Sequence, residues 1–176
     1  MEAVESFLVW ITVFLAEHLY EGIFLAALVE TIVPPIPTLA IFPTAGFLAS
    51  QKGMSIIEVI PMILLGASGA TLGTTGIYLI ALKLGRIVLL KYLKFLRVSE
   101  KKLERVERWF EKYGDKAVFL GRMVPVMREM ISIPAGLLKM RIPKFIAYTF
   151  AGSCVWAAGT LLAGYYFGES LGLTLS

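Results

Sequence analysis

Two arginines stand in a stretch of this sequence that otherwise has the composition of a membrane interior. Residues 121–140 read GRMVPVMREMISIPAGLLKM and contain Arg122, Arg128 and Glu129. A guanidinium stays charged at any biological pH and binds two oxygens of a phosphate with parallel hydrogen bonds. Arg122 and Arg128 lie on either side of Pro125, so they can converge on one anion across a turn. The stretch therefore predicts a phosphate-binding site with both arginines as ligands.

The arginines also have a structural interpretation, in which they bind no ligand. Long basic side chains near the end of a membrane helix extend their charged groups back to the interface, and Arg122 and Arg128 would then lie near the cytoplasmic face. Pro125 and Pro134 favour the binding interpretation, because they break the helix that carries the arginines. Ionisable residues at membrane depth usually face a cavity or a transport pathway.

A carboxylate, Glu30, stands in a second apolar stretch that is interrupted in the same way. Residues 22–50 contain Glu30 and four prolines, and each proline removes a backbone donor and clashes with the preceding helical turn. Broken backbone at membrane depth is tolerated only where protein or a water-filled cavity covers it. This stretch is therefore expected to turn back within the membrane and to border a cavity.

Two acidic residues can act together with the arginines, and each has two interpretations. Glu30 either titrates during transport or compensates Arg122 or Arg128 in a static ion pair. Glu129 either supplies a further titrating carboxylate or neutralises Arg128 or Lys139. Both acids are therefore candidates for coupling or for charge compensation.

The overall composition identifies an integral membrane protein and argues against an enzyme. Of the 176 residues, 57% are hydrophobic and only 17% are charged, and the mean hydropathy is +0.77, which is too apolar for an ordinary soluble domain. The single cysteine, Cys154, excludes an intrachain disulfide, and the single histidine, His18, argues against a histidine metal site or a Ser/His triad. An enzyme acting on lipid phosphates would need a catalytic histidine or an acid cluster. We therefore expect no metal and no cofactor.

The apolar runs predict one membrane domain that covers residues 1–176. A helix needs about 20 residues to cross a hydrocarbon core of about 30 Å, and residues 61–82 and 145–168 are long enough. Residues 1–21 contain only a short apolar run and are predicted to form an interfacial helix. Residues 83–116 are strongly basic with apolar residues at helical spacing, which predicts an amphipathic cytoplasmic segment. Interleaved glutamates in this segment argue against nucleic acid as a partner.

The two interrupted stretches share a pattern that indicates an internal repeat. Pro35 lies as far before Gly46 as Pro125 lies before Gly136, and an alanine precedes each glycine. Two broken apolar segments at corresponding positions in two halves mark the central site of many transporters. The residues expected to shape the two hairpins are Pro34, Pro35, Pro37, Gly46, Pro125, Pro134 and Gly136.

The charge distribution orients the two halves. The basic residues of 83–116 and of the cluster at 139–144 should face the cytoplasm, whereas the acidic N-terminal region, which has no basic residue, should face outside. Residues 117–138 then form a hairpin that enters from the cytoplasm, and residues 22–50 form one that enters from outside. The predicted fold is an all-α integral membrane protein with two opposed re-entrant helical hairpins, flanking transmembrane helices and amphipathic surface helices.

These motifs resemble those of the DedA family of membrane proteins, also called the SNARE-associated or VTT-domain family. The resemblance rests on ETIVPPIPTLAIFPTAGFLA at 30–49, on the arginine stretch at 121–140, on Phe145 and on GSCVW at 152–156, and it covers most of residues 20–168. It implies two opposed re-entrant hairpins and the translocation of lipids across bilayers. Bacterial members include flippases that recycle undecaprenyl phosphate, and eukaryotic relatives are phospholipid scramblases.

The resemblance also assigns roles to individual residues. The paired arginines of the family motifs fall on Arg122 and Arg128, and the first acidic residue of the family falls on Glu30. The second acidic residue of the family pattern is replaced by Leu39. We therefore expect transport by this chain to depend less on a proton gradient than transport by relatives that carry both acids.

The expected function is the translocation of an anionic lipid, either a polyprenyl phosphate of the undecaprenyl type or a phospholipid. The protein would be a multi-pass protein of a prokaryotic plasma membrane, with membrane lipids as partners and a homo-oligomer left open. A proton-coupled transporter of a small solute or ion would use the same two-hairpin cavity and is the alternative. A purely structural membrane module is the third reading, in which removing the charge of Arg122 and Arg128 has no effect.

Overall fold

The computed structural model describes residue 14 and residues 17–32, 38–95 and 100–175. Every regular element in these ranges is a helix, which confirms the prediction of an all-helical protein for this part of the chain. The helices, in chain order, are α1 (Leu19–Ile32), α2 (Thr38–Gln51), α3 (Ile56–Phe95), α4 (Glu100–Tyr113), α5 (Lys116–Arg122), α6 (Pro125–Met130), α7 (Ser132–Leu137) and α8 (Ile142–Leu175).

Two of these helices, α3 and α8, are long and apolar enough to cross a membrane. The apolar windows are Ile56–Lys83, with 28 residues, and Ile142–Ser170, with 29 residues. At 1.5 Å per residue each window is about 42 Å long, which exceeds a hydrocarbon core of about 30 Å. Both predicted spans, 61–82 and 145–168, lie inside these windows.

The structure differs from the sequence prediction in where the long helices and the surface helix meet. Helix α3 continues past residue 82 to Phe95, so the first part of the segment 83–116 belongs to the same helix as residues 61–82. Lysine, arginine and leucine are good helix formers and dominate residues 83–95, so nothing local ends the helix at the expected boundary. The separate surface helix is α4, whose Val106 and Phe110 are buried against the rest of the protein.

The hairpin prolines fall partly in the described residues. Pro34, Pro35 and Pro37, together with Leu39's side chain, lie outside them. Pro43 lies inside the continuous helix α2, which corrects the expectation that every proline of residues 22–50 breaks a helix. Most of the predicted interfacial helix, residues 1–13 and 15–16, is also outside the described residues. Residues 19–21 belong to α1 rather than to that helix.

Hydrogen bonds between elements define two ends of the molecule. At the first, called the Met54 end, Tyr20 Oη donates to Glu58 O at 3.2 Å and Tyr165 Oη donates to Met54 O at 2.6 Å. The start of α1, the start of α3 and the C-terminal part of α8 therefore lie together. Since α3 starts where α8 approaches its end, the two long helices run antiparallel.

The opposite end, called the Met140 end, contains the first residues of α5 and of α8, the helices of the second half. Tyr78 Oη donates to the carbonyl of Met140, and Lys144 Nζ binds Asp115 Oδ2 at 2.9 Å. The start of α5 and the start of α8 therefore lie beside the later part of α3. The α1–α2 pair thus enters between the long helices from one end, and the α5–α7 group enters from the other.

The first helix of each group packs on the long helix of its own half through a glycine. A Cβ on Gly69 of α3 would overlap the carbonyl of Phe24 in α1. A Cβ on Gly152 of α8 would lie 2.9 Å from the carbonyl oxygen of Phe119 in α5. The absence of a side chain lets the helix backbones approach closely at both positions.

The last helix of each group packs on the long helix of the other half, again through a glycine. A Cβ on Gly46 of α2 would overlap Leu161 O of α8, and a Cβ on Gly136 of α7 would lie 2.5 Å from Tyr78 O of α3. Tyr78 and Leu161 are separated by the same number of residues as Gly69 and Gly152, the two glycines that contact α1 and α5. The contacts therefore reproduce the internal repeat that the sequence pattern predicts, with the two halves in opposite orientations.

Candidate functional site

The tips of the two groups meet halfway between the ends, and this is where both motif arginines lie. Helix α5 ends at Arg122, and α6 begins at Pro125 after the extended residue Val124. Proline fits the first position of a helix, so the chain turns here without losing a hydrogen bond. Arg122 is 3% exposed and Arg128 is 6% exposed. The turn thus brings two buried guanidinium groups to the centre of the molecule.

Arg122 is anchored to both halves of the protein. Its Nη2 donates to the hydroxyl of Thr74 on α3, and its Nη1 donates to the backbone carbonyl of Arg128 at 3.2 Å. The Thr74 hydroxyl in turn donates to Ala70 O in its own helix. The Arg122 guanidinium is therefore fixed in position by one long helix and by the following turn.

Arg128 forms an ion pair with the carboxylate of the first half. Its Nη2 lies 3.3 Å from Glu30 Oε2, and Glu30 is 5% exposed. Helix α1 carries Glu30 to the centre from the Met54 end, so the bond joins the two groups of helices at their tips. This contact supports the interpretation of Glu30 as the residue that compensates an arginine.

The other face of Arg128 lies against an aromatic ring. The guanidinium carbon Cζ is 5.0 Å from the centre of the Trp156 ring of α8, which is a cation–π contact. The indole Nε1 of Trp156 is buried and has no hydrogen-bond partner among the described residues. Trp156 thus restricts the orientation of Arg128 and leaves one donor of its own unused.

Two donors of the arginines are also unused. Arg122 Nε and Arg128 Nη1 are buried and have no hydrogen-bond partner within the described part of the chain. A buried donor that lacks a partner is costly, and a buried charged donor is more so. The site is therefore electrostatically and geometrically prepared for an acceptor, and an anion satisfies both needs.

A narrow cleft lies over these groups. The space between its walls is too tight for a water molecule, so the arginines are enclosed in this conformation. A ligand therefore needs a movement of the walls to enter. The residues that line the cleft are Phe42, Gly66, Ala70, Arg122, Arg128, Ser153 and Trp156.

The structure brings together three of the four charged residues predicted for the site. Arg122, Arg128 and Glu30 form one cluster, whereas the side chain of Glu129 lies outside the described residues. The arginines do not extend to the surface as the structural interpretation requires, since both are buried at the middle of the long helices. Of the predicted hairpin residues, Pro125 begins α6, Pro134 lies in the first turn of α7, and Gly46 and Gly136 make the close contacts described above.

Sequence reasoning did not identify Thr74 and Trp156 as site residues. Threonine is common in apolar helices, so Thr74 carries no signal of its own. Trp156 stands within GSCVW, a motif that carries the family resemblance but no titratable or metal-ligating pattern of its own. The spacing of Ser153 and Trp156 places them on one face of α8, which is the signal that could have drawn attention to the tryptophan.

The sequence of this chain is similar to a protein family and to several known bacterial proteins. Residues 36–166 match the family model of the VTT domain. The chain is 29% identical over 170 residues to the "Undecaprenyl phosphate transporter A" of Staphylococcus aureus, covering 94% of this chain and 82% of that protein. It is 32% identical over 150 residues to the protein of the same name from Bacillus subtilis, covering 85% of this chain and 72% of the relative.

A further relative carries a different kind of name. The "Alkaline phosphatase-like protein" of Lactococcus lactis subsp. cremoris is 31% identical over 156 residues, which covers 86% of this chain and 72% of that protein. No solved structure matches the chain at a significant level.

Proposed function

Because this chain belongs to the VTT-domain family, also known as the DedA family, we propose that it transports an anionic lipid across a bacterial membrane. Arg122 and Arg128 bind the phosphate of the lipid in this proposal. The names of the Staphylococcus aureus and Bacillus subtilis relatives support a transporter of undecaprenyl phosphate. The substrate class we assign is accordingly a polyprenyl phosphate.

One observation carries the proposal, and it is the excess of buried positive charge. Among the described residues, Glu30 is the one buried carboxylate beside two buried guanidinium groups, and each guanidinium still has a donor without a partner among the described residues. A charge held in an apolar interior is favourable only when an opposite charge or several hydrogen bonds compensate it. A phosphate monoester supplies both the negative charge and the acceptor oxygens.

The arrangement of the short helices supports a path through the membrane. Helices α1 and α2 have 14 residues each, about 21 Å, which is less than a hydrocarbon core of about 30 Å. We propose that the α1–α2 pair and the α5–α7 group are re-entrant hairpins that enter from opposite faces. Their meeting point then lies near the middle of the bilayer, where a lipid headgroup must pass.

Replacement of the second family acid by Leu39 bears on the energy source. The ion pair with Arg128 supports a compensating role for Glu30, in which this carboxylate carries no proton across the membrane. We propose that this chain equilibrates its lipid across the membrane with little dependence on a proton gradient. A proton-coupled transporter of a small solute is the alternative, and it requires Glu30 to titrate.

A phosphatase is the function that the Lactococcus relative's name suggests. Within the described residues, no three His, Cys, Asp or Glu side chains lie close enough together to hold a metal ion. The unused donors of the site are suited to holding a phosphate and supply neither a nucleophile nor a base. Binding and transport therefore fit the site better than phosphate hydrolysis.

The test is lipid translocation in proteoliposomes with a fluorescently labelled polyprenyl phosphate. Arg122→Gln should slow translocation by about 10-fold or more, the effect of losing a charged hydrogen bond at the site. Arg105→Gln is the matched control, because Arg105 is an exposed arginine of α4. Equal translocation by wild type and Arg122→Gln would exclude phosphate binding by this arginine. Release of inorganic phosphate from the lipid would instead indicate hydrolysis.

A further inference from the structure

The two halves of the protein differ sharply at two pairs of equivalent positions beside the arginines. Gly66 of α3 and Thr149 of α8 are equivalent positions, because they are separated by the same number of residues as Gly69 and Gly152. Phe42 of α2 and Ser132 of α7 are equivalent in the same sense, because they are separated by the same number of residues as Gly46 and Gly136. One half therefore has an aromatic residue facing a glycine where the other has two hydroxyl residues.

The aromatic pair lies on the Met54 side of the arginines. Helix α2 leads from the tip of its hairpin to the Met54 end, and Phe42 lies one turn from its start. A Cβ on Gly66 would lie 2.6 Å from Phe42 Cε1, so the ring occupies the space that the missing side chain leaves. Phe42 is only 1% exposed and forms one wall of the cleft over the arginines. The Met54 side of the site is therefore closed by an apolar ring.

The hydroxyl pair lies on the Met140 side of the arginines. Ser132 begins α7, which leads to Met140, and Thr149 lies on α8 between Lys144 and Gly152. Both residues are fully buried, and neither hydroxyl oxygen has a hydrogen-bond partner among the described residues. Buried hydroxyls are nearly always hydrogen-bonded, so two unused hydroxyls at the counterparts of Phe42 and Gly66 need an explanation.

We propose that Ser132 and Thr149 form a second phosphate contact on the Met140 side of the arginines, and that Phe42 is the gate on the Met54 side. The hydroxyls donate to phosphate oxygens as the headgroup moves between the arginines and the Met140 end. The headgroup reaches the Met54 end only when the Phe42 ring leaves Gly66. This inference rests on the proposed function and adds the route that the phosphate takes.

The charges at the two ends agree with this route. The Met140 end carries exposed basic residues that attract an anionic headgroup, whereas the exposed charged residues at the Met54 end are acidic except for Lys52. A lipid phosphate is therefore concentrated on the side where the hydroxyls lie. The basic residues are Lys116, Lys139, Arg141 and Lys144, and the acidic ones are Glu17, Glu21, Glu58 and Glu169.

The first test removes the hydroxyls while keeping the size of the side chains. Ser132→Ala and Thr149→Val should each lower the rate of polyprenyl phosphate translocation by about fivefold, the effect of one lost hydrogen bond, and the double variant should lower it further. Thr71→Val is the matched control, because the buried Thr71 hydroxyl already donates to Ala67 O at 2.6 Å. Wild-type translocation by the double variant would overturn the second contact.

A second test reports the position of the headgroup directly. A cysteine introduced by Ser132→Cys in a Cys154→Ala background should react with a membrane-impermeant maleimide from the Met140 face. Unlabelled polyprenyl phosphate should slow this reaction. Labelling at 132 that the lipid does not slow would contradict the route.

The variants also separate this inference from the proposed function. If Arg122→Gln loses translocation while both hydroxyl variants keep normal rates, the proposed lipid transport stands and the route is rejected. Normal translocation in Arg122→Gln would reject the proposed function itself. Phe42→Ala is expected to speed translocation, because it removes the ring that closes the site, and slower translocation would contradict the gate.

Discussion

Glu30 Oε2 accepts a hydrogen bond from Arg128 Nη2 at 3.3 Å, and both side chains are buried. This ion pair is the direct charge contact between the tips of the two opposed helix groups. Because the two residues come from different halves of the repeat, the pair both compensates an arginine and fixes the position of one half against the other. Substitutions at this pair and at its neighbours should therefore affect both stability and transport.

Replacing Glu30 should weaken the protein and its transport together. Glu30→Gln leaves two buried guanidinium groups without a described carboxylate, and breaking a buried pair from one side costs about 3 to 5 kcal/mol. We expect a lower unfolding temperature in detergent and slower translocation, with any dependence on a pH gradient unchanged. Glu21→Gln is the control, because Glu21 is exposed near the Met54 end.

A double-mutant cycle separates this role from proton coupling. If Glu30 acts by compensating Arg128, the effects of Glu30→Gln and Arg128→Gln on stability should be strongly non-additive. Additive effects would contradict a direct ion pair. Strictly gradient-driven accumulation of lipid by the wild type, lost in Glu30→Gln, would instead identify Glu30 as a proton carrier.

Arg128→Lys should not restore function although it keeps the charge. Lysine has no planar fork, so it cannot contact Glu30, the ring of Trp156 and a phosphate oxygen at the same time. We expect translocation to fall by about 10-fold, the effect of losing one charged hydrogen bond. Wild-type rates at equal expression would exclude bidentate capture of the phosphate.

Trp156 should contribute through both its ring and its indole N–H. Trp156→Phe keeps an aromatic face for Arg128 and removes the unused Nε1 donor, whereas Trp156→Leu removes both. We expect lipid translocation to fall in the order wild type, Trp156→Phe, Trp156→Leu. Equal rates for wild type and Trp156→Phe would show that the donor is not used, and equal rates for the two variants would assign no role to the ring.

The orientation in the membrane is open to direct labelling. In a Cys154→Ala background, cysteines placed at the exposed positions Lys52 and Lys139 should react with an impermeant reagent from opposite faces, outside for Lys52 and cytoplasmic for Lys139. A cysteine at Arg108 should react from the same face as one at Lys139. Reaction of the last two from opposite faces would reject the second re-entrant hairpin.

The sequence predicted the all-helical fold because the signals for it are local. Apolar runs of spanning length indicate helices, and prolines that interrupt other runs indicate breaks. Both signals depend only on residues that are neighbours in the sequence. The helix α3 was predicted to be too short for a related reason. Its end depends on the residues after position 82, and there good helix formers continue the helix although the density of charge rises.

The sequence alone singled out Arg122 and Arg128, since two arginines on either side of a proline in an apolar stretch indicate either a site at membrane depth or an extension to the interface. It offered Glu30 as a possible partner of either arginine without choosing between them, and it did not indicate that the arginines are buried. Glu30, Thr74 and Trp156 are far from the arginines in the chain, and sequence spacing holds no information on which of them comes within bonding distance. Only the packing of the two antiparallel helices, through the close glycine contacts of each half, brings these residues to one point.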